Sequence, residues 1–75
     1  MADIKFEILK HFGIISADEK NWKKELNLVS WNDREPKLDV RDWAPGRERM
    51  GKGITLTTEE AAKLAELLVA HAEKT

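Results

Sequence analysis

Cysteine is absent from the 75 residues, which excludes a disulfide framework and any thiolate metal site. Tyrosine is also absent, there are only two prolines and four glycines, and the chain shows no repeat, low-complexity tract or linker. No apolar run approaches the roughly 20 residues of a membrane-spanning helix. The N-terminus MADIKFEILK lacks the charged-then-apolar order of a signal peptide, so a cytoplasmic protein without membrane contact is expected. A chain of this length forms one domain, residues 1–75, and buries only about 60% of its unfolded surface. It therefore stands to gain core by oligomerising.

A strong excess of one charge is missing as well. The net charge is −1, yet residues 21–55 carry eight basic and six acidic side chains, whereas the two flanks are both acidic. This bias is much weaker than the basic footprint of a duplex DNA binder. All three tryptophans, Trp22, Trp31 and Trp43, fall in the same central segment, and so small a domain is expected to leave at least one exposed.

The segment Phe6 to Ala17, FEILKHFGIISA, is rich in β-branched and aromatic residues, with Phe6, Ile8, Phe12 and Ile14 on even positions; it reads as a strand bent at Gly13. After a polar turn, WKKELNLVSW alternates with period two. Trp22, Lys24, Leu26, Leu28 and Ser30 share one face; Lys23, Glu25, Asn27, Val29 and Trp31 share the other. KLDVRDW divides again, with Leu38 and Val40 opposed to Lys37, Asp39, Arg41 and Trp43. An antiparallel hairpin closing with Trp31 opposite Lys37 would match like faces, setting Val29 against Asp39, Asn27 against Arg41, Glu25 against Trp43 and Leu28 against Val40. Pro45-Gly46 marks a turn, RERM a mobile loop, and GKGITL a fourth strand whose Ile54 and Leu56 extend the apolar face. Thr57 and Glu60 have capping-box spacing ahead of TEEAAKLAELLVAHAEK, an amphipathic helix of about four turns.

The expected fold is α+β: a curved four-stranded antiparallel sheet followed by one C-terminal helix. One such helix cannot cover the whole apolar face, and its own stripe is broad, so a homodimer packed through the helices completes both.

Enzymatic chemistry finds no support. His11 and His71 stand apart, Ser16 and Ser30 lack a histidine partner, and Gly51-Lys52-Gly53 precedes a strand instead of opening a helix as a phosphate loop does. No cofactor or metal is expected. The Trp-bearing face is more informative, because single strands bind where cations track phosphates and rings stack on bases. Lys23, Asn27, Trp31, Lys37, Arg41 and Trp43 interleave both functions on one side. The competing reading is that the tryptophans fill a core beside ordinary solvated charges. Glu25 and Asp39 on the same face weigh against a simple phosphate track, and Asp39 could instead orient Arg41 or Lys37.

PKLDVRDW, a proline-containing loop, GKGITLT-EE and an amphipathic helix together resemble the transcriptional coactivator family called positive cofactor four. Its pattern is a D-I-R-aromatic strand and a G-K-G-I-S/T-L strand leading into a helix. The likeness is closest to the short bacterial, YdbC-like branch and spans about residues 4–70. The family implies a homodimer that binds single-stranded DNA with little sequence preference. Carried over, it places an aromatic stacker at Trp31, basic contacts at Lys37 and Lys52, the motif arginine at Arg41 and its following aromatic at Trp43. The sequence departs from the family in having Val40 within the D-I-R motif, Ala44 where a second aromatic stands, and Val29 where some members carry a basic residue. The regulatory N-terminal tail of eukaryotic members is not expected here, so a coactivator role does not carry over, and the process, whether transcription, replication or repair, stays open.

The expectation is thus a single-stranded DNA-binding homodimer. Trp31 and Trp43 stack bases, Lys23, Lys37, Arg41 and Lys52 neutralise phosphates, Asn27 lies between them, and Arg47 and Arg49 add loose electrostatic capture. RNA or melted duplex is the near alternative ligand, and a protein-interaction scaffold the far one.

Overall fold

A computed structural model describes residues 5–73. Four strands, β1 (Phe6–Ala17), β2 (Lys23–Trp31), β3 (Lys37–Trp43) and β4 (Met50–Leu56), form an antiparallel sheet in sequence order, and α1 (Thr58–Glu73) follows. The expected helix runs to Lys74, which lies outside the described residues. Each connection has a local cause. Asp18 Oδ1 accepts the amides of Lys20 and Trp22 at 2.9 Å, closing the β1–β2 turn. The capping box forms reciprocally: Thr57 N donates to Glu60 Oε1 at 2.9 Å and Glu60 N to Thr57 Oγ1 at 3.1 Å.

The β2–β3 register differs from expectation by two residues. Val29 pairs with Lys37, Asn27 with Asp39, Glu25 with Arg41, Lys23 with Trp43 and Leu28 with Leu38. Asn32 and Asp33 both take left-handed backbone conformations, Arg34 N donates to Trp31 O, and Pro36 has no amide to offer a ladder. The chain thus leaves β2 in a wide loop, while Ser30 and Trp31 continue to pair with β1. A slip of two keeps every side chain on its face, so the sorting of faces survives.

In β1 the even-position pattern fails. Register shifts between Ile8 and Lys10, His11 and Gly13, and Ile14 and Ser16 add three bulges. Phe6, Ile8, His11, Ile14 and Ala17 consequently share the face of β2's Trp31, Val29, Asn27, Glu25 and Lys23. Phe12 leaves that set, and Lys10 Nζ sits 5.0 Å from the centre of its ring. Bulges increase local twist and bend a strand. Their cumulative effect appears in a contact between non-neighbouring strands: Phe6, at the start of β1, packs its ring 5.2 Å from that of Trp43, at the far end of β3. The sheet remains open but curls until diagonal corners meet over one face.

That curl corrects the expected location of the core. The Trp-bearing face is the buried one, with Val29 and Asn27 and Asp39 at 0%, Trp43 at 1% and Glu25 at 4% exposure. Leu26, Leu28, Leu38 and Val40 on the reverse face are only half-buried, and Ile54 is exposed. No residue of α1 is buried, and Leu67, Leu68 and Val69 are each more than half exposed. The radius of gyration, 13.8 Å, exceeds the roughly 11 Å of a compact chain this long, because α1 projects from the sheet and touches it chiefly at β3 and β4.

Candidate nucleic-acid interface

Two polar clusters occupy the curled face, one centred on each buried carboxylate. Asp39 receives Arg41 through Nε and Nη2 at 3.1 Å and the Thr55 hydroxyl at 3.1 Å. Arg41 also donates Nη1 to the Gly51 carbonyl at 3.1 Å, and its guanidinium lies 4.9 Å from the centre of the Trp31 ring. The planar guanidinium is therefore fixed by a bidentate carboxylate, a carbonyl and an aromatic face at once. Gly53 permits the close strand approach here, since a Cβ would strike the Val40 carbonyl and Arg41. Beside this stack lies an open hollow of about 300 Å³ lined by Trp31, Asn32, Arg41, Met50 and Thr55.

The second cluster joins β1, β2 and the β3–β4 loop. Arg47 donates Nε and Nη2 to Glu25 Oε1 at 3.1 and 3.0 Å, and Asn27 Nδ2 donates to the same oxygen at 3.1 Å. With its amide nitrogen so committed, Asn27 presents Oδ1 to His11, whose Nδ1–H donates across 2.7 Å. Gly46 and Arg47 are both left-handed, at φ of 72° and 58°, within the short 3₁₀ turn Pro45–Arg47. For the non-glycine Arg47 this costs on the order of 1 kcal/mol. The two reversals turn the chain back over the sheet, where the ion pair with Glu25 offsets the strain. Burial raises the Glu25 pKa, but hydrogen bonds from Asn27 and Arg47 and the nearby charges of Arg47 and His11 outweigh it, holding the carboxyl below its usual value. A larger open hollow, about 520 Å³, adjoins this cluster between Lys23, Ile14 and Pro45.

The expected site residues therefore divide. Lys23 and Lys37 are exposed on the curled face, and Trp31 is half-buried there. Arg41 is on that face but neutralised by Asp39, its side chain 17% exposed. Asn27 and Trp43 do not present themselves to solvent: Asn27 is a fully buried strut between His11 and Glu25, and Trp43 is covered by Phe6. Arg47 is tied to Glu25 instead of moving freely, and Arg49 is exposed in the same loop. Lys52 is exposed too, but it lines a hollow with Lys24, Val40, Asp42 and Ile54, on the reverse side. His11, Phe6, Met50 and Thr55 were missed. Phe6 was visible as an aromatic on the correct parity; His11 reaches this face only through a bulge, which left no signal in the alternation. The indole N–H groups of Trp31 and Trp43 are both buried without an acceptor among the described residues.

Among the described residues no three His, Asp or Glu side chains are arranged to hold a metal ion, and no helix is long and apolar enough to cross a membrane. An uncharacterized protein of Treponema pallidum (strain Nichols) is 41% identical over 66 residues, covering 88% of this chain and 78% of that protein. The pattern of the family described as Transcriptional Coactivator p15 (PC4) matches residues 19–67, from the β1–β2 turn across the Trp31–Arg41 stack and into the helix. With most of its length matched, the chain belongs to the PC4 family.

Proposed function

We propose that the protein binds single-stranded DNA on the curled face with little overall sequence preference, as a homodimer. The observation that carries this reading is the stack of Arg41 on Trp31, pinned by Asp39 and the Gly51 carbonyl beside an open hollow. Because Asp39 cancels its charge, Arg41 serves as a flat stacking surface continuous with the indole. Phosphate neutralisation falls to the exposed Lys23, Lys37 and Arg49. Trp43 forms the floor that holds the curl, and Lys52 lies across the sheet from this track. A preformed aromatic and guanidinium platform suits splayed bases, each stacked base contributing about 1–3 kcal/mol. It does not suit a duplex, whose bases are already stacked.

The dimer reading rests on the opposite surface, where the half-buried Leu/Val face and the exposed Leu64, Leu67, Leu68 and Val69 adjoin. Two copies packed through α1 would cover both. The family's description as a transcriptional coactivator suggests action where strands are melted during transcription.

Titrating oligo-dT into the protein and following tryptophan fluorescence tests the reading. Saturable quenching is expected, with affinity falling by a log-log slope of about −0.7 for each phosphate neutralised, and weaker binding to a duplex of equal length. Absence of any binding at low salt would overturn it, and tighter binding to equal-length RNA would reassign the ligand.

A further inference from the structure

The Glu25 cluster is more elaborate than an ion pair requires. Glu25 is 4% exposed, and all three hydrogen bonds it receives fall on Oε1. Oε2 receives none from any described residue, is not among the sealed-off polar atoms, and belongs to a residue that lines the hollow of about 520 Å³. His11 lines the same hollow, with its Nδ1 committed to Asn27. The hollow therefore presents one carboxylate acceptor without a protein donor, while Lys23 and Arg47 line it as cations and Ile14 and Pro45 as apolar groups. The volume lies within the roughly 300–1,000 Å³ of small-ligand clefts.

We infer that this hollow is a base-reading subsite that selects nucleobases carrying an exocyclic amino group. The inference rests on the single-strand binding proposed above. A carboxylate oxygen can only accept, so a base satisfies it with N–H groups. Cytosine, adenine and guanine each offer an amino group there. Uracil and thymine offer one N–H flanked by two carbonyl oxygens, at least one of which would face the buried carboxylate. Leaving a buried acceptor opposed to another acceptor is the costly arrangement. Asn27 and Arg47 act as positioning residues: they hold Oε1, and thereby fix the direction of Oε2.

Oligo-dC and oligo-dU of equal length, compared by fluorescence anisotropy at a neutral pH where cytosine is unprotonated, provide the test. One additional hydrogen bond corresponds to about fivefold tighter binding of oligo-dC. Methylating both positions of the cytosine amino group should remove that advantage on the unaltered protein, a readout independent of any variant's folding. Glu25→Gln, which can turn an amide donor toward the hollow, should abolish or invert the preference. Equal affinity for oligo-dC and oligo-dU, or a preference that survives dimethylation, overturns the inference and leaves single-strand binding intact. Failure of both oligonucleotides to bind overturns the function reading itself.

Discussion

The two faces of this sheet share one backbone and meet opposite fates. The face bearing Trp31, Trp43, Glu25, Asn27 and Asp39 is closed by the chain's own curl, with two carboxylates and an amide among its least exposed side chains. The face bearing Leu26, Leu28, Leu38, Val40 and Ile54 is the greasier one, and the single chain leaves it half open beside a helix with no buried residue. Hydrophobicity alone ranks these faces the other way round. The difference teaches that burial here follows geometry: bulges in β1 bend the sheet toward its polar side, and Glu25, Asn27 and Asp39 are each buried with a partner already in place. The uncovered face is the kind of contiguous apolar surface that marks an interaction site.

The comparison can be broken most severely at the open face. Leu68→Asp would place a charge in the interface of a helix-packed dimer, costing on the order of 4 kcal/mol for an unpaired buried charge. Analytical ultracentrifugation should show the species move from twice 8.6 kDa to 8.6 kDa. A variant that stays dimeric would exclude α1 from the interface.

Within the curled face the two tryptophans should separate by phenotype. Trp43→Ala removes the floor and should destabilise the fold by about 3–5 kcal/mol in thermal or urea unfolding. Trp31→Ala should unfold at a temperature closer to that of the parent while losing about 1–3 kcal/mol of oligo-dT affinity. If Trp31→Ala unfolds as readily as Trp43→Ala, Trp31 is a core residue and the stacking assignment fails.

The smallest effect is the most local. Because the folded-state pKa of Glu25 lies below its usual value of 4.5, the carboxylate contributes stability above that value and loses it as pH falls through the folded pKa. Urea midpoints measured from neutral pH downward should therefore decline below about pH 5. The decline should be shallower in Glu25→Gln, and an unchanged slope would show that the Arg47 ion pair adds nothing to the fold.

Much of this was legible in the sequence because it is local. The Thr57–Glu60 cap, the extents of β1 and β3, and the division of β2 and β3 into two faces depend on neighbours within a few residues. Even the register error was harmless to the faces, since Asn32 and Asp33 widened the loop by an even step. The site was less legible. In the sequence, Glu25 and Asp39 weigh against a phosphate track and Asp39 is placed to orient Arg41, but the match of Glu25 with Arg47 spans 22 residues and a loop reversal. The burial of Trp43 depends on Phe6 arriving from the opposite corner, which no periodicity in β3 could announce.

The amino-acid sequence by itself determined the order of elements, the side each strand residue faces and the family of the chain, because period-two alternation, turn residues and caps act over short range. Only the tertiary structure decided which face closes, which arginine stacks and which is latched, and where the acceptor-lined hollow opens. Those outcomes depend on how three bulges sum into a curl, and that sum brings together residues that alternation along a single strand cannot relate.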